Sequence, residues 1–175
     1  MAITIKRQPW LYSTDDHQPP EIRAVKIAAT QTYIEGSPGY INTSGQAKIA
    51  ATSNGAPDSF NFFFLAAAAA AATANVEVNV VMIRATQIWC IYLETNDSDQ
   101  AASQAHVGNV YGCVVQTTPS TQKGYMTVDV NEGSHTVVKV VDIMPNVEPS
   151  MFTTSDTQGV ALVRFLQANI DATTS

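Results

Sequence analysis

VEVNVVMI, residues 76–83, places Val76, Val78 and Val80 at alternate positions with Glu77 and Asn79 between them, then stays apolar as far as Ile83. Successive side chains of a β-strand point to opposite faces, so this period of two predicts a half-buried strand. The three valines should face the core and Glu77 and Asn79 should face solvent or a partner, while Val80 to Ile83 carries the strand deeper. IWCIYL (88–93) follows as a second strand, rich in the β-branched and aromatic side chains that pack well on a pleated surface.

Toward the N-terminus, Ile22, Ala24 and Lys26 to Ala28 suggest a strand and Thr32 to Ile34 a short one. Turns at Gly36-Ser37-Pro38-Gly39 and Asn42 to Gly45 enclose Tyr40-Ile41, with Gln46 to Ala51 as the return of a hairpin. Phe60 to Leu65 is strongly apolar. The alanines from Ala66 to Ala72 favour helix by propensity, but so short a helix is marginal without packing, and a close-packed irregular segment is the alternative. Further strands are expected at Val107 to Gln116, Tyr125 to Val130, Thr136 to Val141 and Val160 to Leu166, and Thr95 to Ser103 reads as a solvated loop. No βα alternation is visible, which excludes a doubly wound sheet. The expected fold class is mainly β: a small β-barrel, tulip-like or sandwich domain with at most one or two short helices.

The chain's 175 residues suit one domain, here residues 21–175, preceded by an arm at 1–20. In that arm Trp10, Leu11 and Tyr12 precede a polar run and then Pro19-Pro20, whose backbone favours an extended conformation. Aromatic side chains are costly to leave in water, so these five residues are the candidate partner-binding set. The arm is expected to dock on a neighbouring subunit, with the double proline holding it away from its own domain.

Charged residues make up only 14% of the chain and hydrophobic ones 45%. Soluble domains carry roughly 25% charged residues, so this surface is expected to be partly covered by neighbours. A net charge of −6 with nine scattered basic residues argues against nucleic acid as a partner. The apolar run at Leu65 to Ala74 is too short for a membrane span, and the opening MAITIKRQPW is unlike a secretory signal, so a soluble, non-secreted protein is expected. Cys90 and Cys113 lie in apolar strands and read as buried thiols, with a disulfide left open.

Catalytic chemistry finds no pattern to rest on. His17, His106 and His135 are far apart and none stands at metal-ligand spacing; Asp15-Asp16-His17 reads as solvated polar sequence. There is no phosphate-cradling glycine loop and no GxSxG elbow beside Ser134-His135. Asp97 and Asp99 lack the remainder of a calcium loop, and Asp129 with Glu132 marks a hairpin end. The expectation is a non-enzymatic protein with no cofactor and no metal. A carbohydrate-binding or adhesive β-sandwich is the alternative, for which Tyr92, Tyr111 and Tyr125 would have to be exposed on one face. A hydrolase would need His, Asp and Ser side chains brought together only in the fold.

The order of segments resembles the head decoration, or cement, proteins of tailed bacteriophages. TYIEGSPGYINTSGQAKIAAT (32–52) is similar to their opening, and HVGNVYGCVVQ (106–116), YMTVDV (125–130), VVKVVDIMP (137–145) and GVALVRFL (159–166) to their closing half. The resemblance implies a small β-domain on the outer surface of the virion capsid, made in the host cytoplasm, with no active site. It also implies two partners, the major capsid protein and copies of the protein itself as a trimer or dimer, with no nucleic acid and no membrane. The arm at 1–20 has no counterpart in the smallest members of that family.

Overall fold

A computed structural model describes residues 9–50, 60–67, 74–93, 103–115, 125–133, 135–144 and 159–170. Eleven strands run in chain order: β1 (Trp10–Thr14), β2 (Ile22–Lys26), β3 (Pro38–Ile41), β4 (Ala47–Ile49), β5 (Phe62–Phe64) and β6 (Glu77–Met82), then β7 (Gln87–Tyr92), β8 (Val110–Val115), β9 (Met126–Asp129), β10 (Val138–Met144) and β11 (Val160–Phe165). Helix among the described residues is confined to two single turns, at Gln104–His106 and at α1 (Gln167–Ile170). Of the run Ala66 to Ala72, for which the sequence leaves helix and irregular packing as equal alternatives, Ala66 and Ala67 are not helical; residues 68–72 lie outside the described residues, as does most of the expected loop at 95–103.

The strands form two antiparallel sheets, one ordered β1-β7-β11-β10-β8-β9 and the other β2-β6-β5-β3-β4. Their facing sides enclose the main core. Phe63 and Val81 of the smaller sheet meet Trp89, Ile91, Val163 and Phe165 of the larger one, with Phe63 tilted over Trp89 at 4.8 Å between ring centroids. The architecture is therefore the sandwich among the expected alternatives. Each sheet also rolls until a lone parallel bridge joins distant strands: Ile27, just past β2, to Ala47 of β4 in the smaller sheet, and Leu93, just past β7, to Val128 of β9 in the larger. Neither closes as a barrel among the described residues.

Rolling gives the smaller sheet a second core on its other face, where Phe62, Phe64 and Val80 pack with Ile27, Tyr33 and Ala47. Tyr33 stacks on Phe64 at 3.8 Å; it sits in a single bridge rather than in the short strand expected at Thr32 to Ile34. A sheet buried on both faces explains why Phe62 to Phe64 is apolar at successive positions instead of alternating. β6 alternates as expected, with a refinement: Val78 and Val80 face the second core, and Val81 faces the main one. Val76 is a correction, because it precedes the strand and is 50% exposed, although its backbone carbonyl still accepts from Ile27 N–H. Close packing sets one glycine: a Cβ on Gly39 of β3 would collide with the Phe62 ring and lie 2.8 Å from the Lys48 carbonyl oxygen.

A candidate assembly surface along the open side

The segment expected to stand off as an arm is instead built into its own domain. β1 pairs antiparallel with β7, Trp10 opposite Cys90 and Leu11 opposite Trp89, as the edge strand of the larger sheet. A bulge between Leu11 and Ser13 breaks the alternation. Leu11 consequently packs on the main core, whereas Trp10 joins Cys90, Tyr92, Val160 and Leu162 on the opposite face, 5.9 Å from the Tyr92 ring. Tyr12 stays 55% exposed at the bulge. Trp10 and Leu11 thus pack on their own sheet, each remaining half-buried. Tyr12 alone of the three aromatic-run residues faces solvent.

From β1 the chain crosses to the smaller sheet through residues 15–21, alongside the β6–β7 turn that crosses in the same place. Polar contacts fasten the two crossings together. Asp15 N–H donates to the Thr86 carbonyl at 2.9 Å, and the Thr86 hydroxyl donates to the Asp16 carboxylate at 2.9 Å. Arg84 donates to the Pro19 carbonyl at 3.1 Å and lies 3.8 Å from Asp16. Pro19 and Pro20 are exposed, but this tether holds them on the domain rather than away from it. Beneath the turn, the buried Gln87 Oε1 accepts from Arg84 N–H at 2.9 Å and from the Trp89 indole at 3.1 Å.

After the crossing, β2 pairs with β6 and forms the edge of the smaller sheet. Both sheets therefore end in consecutive strands: β1 has β7 alone beside it among the described strands, and β2 has β6 alone along Ile22–Lys26, until Ile27, just past its end, bridges to Ala47 of β4. Ile22 of β2 is 64% exposed, and Arg23, Ala24 and Lys26 are exposed beside it. Edge strands carry unpaired backbone donors and acceptors, so this side offers hydrogen bonds as well as apolar side chains. Periodicity alone could not find it, because nothing within five residues says which strands lie at an edge.

Groups that could do chemistry are dispersed. Asp15 is paired with Arg164 at 2.5 Å, and that hydrogen bond holds its carboxyl below the ordinary value. Asp16 is lowered chiefly by the Gln18 backbone N–H. His106 Nδ1 lies 3.1 Å from the Tyr111 hydroxyl, His135 is 3.7 Å from Glu132, and His17 follows the turn after β1 with a left-handed backbone. Among the described residues no three His, Cys, Asp or Glu side chains gather as a metal site would require, and no helix is long and apolar enough to cross a membrane. Cys90 and Cys113 are free and buried; burial pushes the Cys90 thiol up to about 12 and Cys113 higher. Asp97, Asp99 and Ser134 lie outside the described residues.

The exposed tyrosine face that a glycan-binding reading requires is not formed. Tyr92 and Tyr125 are buried and Tyr111 is half-buried, so the three do not form an exposed face. Compared with protein-family models, with curated proteins and with solved structures, the chain matches none.

Proposed function

We propose that the protein is a non-enzymatic structural component of a virion, binding the outer surface of a tailed-phage capsid and bridging neighbouring capsomers. The observation that carries this reading is the open side. Consecutive edge strands present Tyr12 and Ile22 to solvent in a chain with only 14% charged residues. Such a side suits docking, since apolar side chains and unpaired backbone groups are both satisfied by a neighbour. The resemblance in segment order to head decoration proteins supplies the identity of that neighbour, the major capsid protein, together with copies of the protein itself. A sandwich with apolar cores on both faces of its smaller sheet suits the task, because close-packed interiors resist deformation.

Electron microscopy of particles assembled with and without this protein tests the proposal. Extra density at capsomer junctions on the outer shell, with greater resistance of the decorated heads to heat, is the expected result. Bare shells at saturating protein, or density confined to the interior, overturn it.

A further inference from the structure

We infer that the β2 edge is the seam of a two-fold dimer, in which β2 of one copy pairs antiparallel with β2 of a second about an axis through Ile22. The ladder with β6 decides which backbone groups are available. Met82 N–H donates to the Glu21 carbonyl and Ile27 N–H to the Val76 carbonyl, each at 2.9 Å. Odd-numbered residues of β2 therefore turn their backbone groups inward to β6, and by the alternation of an antiparallel ladder Ile22 and Ala24 turn theirs to the open edge; past them that edge is taken by β4, where Ile27 bridges to Ala47 and Ala28 N–H donates to the Ala47 carbonyl at 3.0 Å. Ile22 is also the most exposed of the large apolar side chains described.

Charge selects the register and the occupant. Many proteins protect an open edge with charges that repel a second copy. Here the signs are self-complementary: Glu21 and Arg23 flank Ile22 at equal spacing, so a two-fold axis through Ile22 sets Glu21 of each copy directly opposite Arg23 of the other. Both side chains already share one face, where Arg23 donates to Glu21 at 2.5 and 3.2 Å. In the dimer two such pairs would close into a ring of four alternating charges. On the other face Ile22 meets Ile22 of the second copy and exchanges two backbone hydrogen bonds with it. An unrelated strand would not supply this mirrored pattern of charges. The seam assigns the Ile22 part of the open side to a second copy of the chain, one of the partners proposed above, and is tested on the free protein, apart from any capsid.

Sedimentation of the full chain should give a dimer, twice 18.8 kDa, at micromolar concentration. Arg23→Glu sets glutamates opposite one another and should weaken the dimer roughly tenfold or more, and Glu21→Arg combined with Arg23→Glu should restore it. Directly opposed, doubly bonded residues lie about 5.5 Å apart at Cα, within disulfide reach, so Ile22→Cys should cross-link two chains under mild oxidation. All three positions are exposed, and circular dichroism of each variant should match the parent. A monomer at tens of micromolar, a double variant as weak as the single one, or an Ile22→Cys protein that dimerises without cross-linking overturns the seam.

Discussion

Arg164, on β11, donates to the carboxylate of Asp15, which directly follows β1, at 2.5 Å across the intervening β7. The contact clamps the N-terminal edge to the sheet. Because the guanidinium holds the Asp15 carboxyl below 3.8, the folded chain takes up that proton less readily than the unfolded one. The contribution is complete above about pH 3.8 and is lost as pH falls below it toward the folded-state value, and Asp16 behaves alike through Gln18. Asp15→Asn should lower the urea midpoint slightly at pH 7, with the difference from the parent shrinking below pH 4. A difference independent of pH would show that the pair contributes nothing electrostatic.

Trp10→Ala and Leu11→Ala should each cost about 1–3 kcal/mol by chemical denaturation, because both side chains pack on their own sheet. Tyr12→Ala should stay within about 0.5 kcal/mol. Deleting residues 1–20 should lower the melting temperature, against the expectation of a detachable arm. An unchanged melting curve after deletion would mean that β1 adds nothing to the domain.

Val80 and Val81 are neighbours in sequence but belong to different cores. Alanine at either should cost about 1–2 kcal/mol, and the double variant should show the sum to within about 0.5 kcal/mol. Coupling well above 1 kcal/mol would refute the separation of the two cores.

The two thiols should be silent toward an aromatic disulfide reagent at pH 8 in the native protein and react fully in denaturant. Burial keeps both protonated, and the thiolate is the reactive form. Fast labelling of either in the folded state would contradict its place in the core.

Strands with a strict period were legible in the sequence: β6 and β7 fall where VEVNVVMI and IWCIYL place them. What those segments could not disclose is which core each face serves, since Val78 and Val81 look alike until the sheet rolls. β1 was misjudged for a different reason. Its residues suit a strand, but the bulge at Tyr12 spoils the alternation, its partner β7 lies some seventy-five residues away, and Pro19-Pro20 reads locally as a separator. The candidate surface suffered in the same way, because an edge is defined by the strands that are missing beside it. Only Tyr12 of the aromatic run and Pro19-Pro20 stayed exposed, while Ile22 gained its importance from topology.

The order of strands across the larger sheet also governs how the chain comes off the ribosome. β1 is synthesised first, yet β7 is its only described partner, and β7 is paired on its other side by β11, the last strand to emerge. All eleven described strands must therefore be delivered before this sheet can be completed, and until then Trp10 and Leu11 travel without their full sockets. Such long-range pairing slows folding and prolongs the time in which nascent chains can associate wrongly. Expression at low temperature, or with chaperones that hold unfinished chains, should accordingly raise the yield of correctly folded protein more than any change to the mature surface.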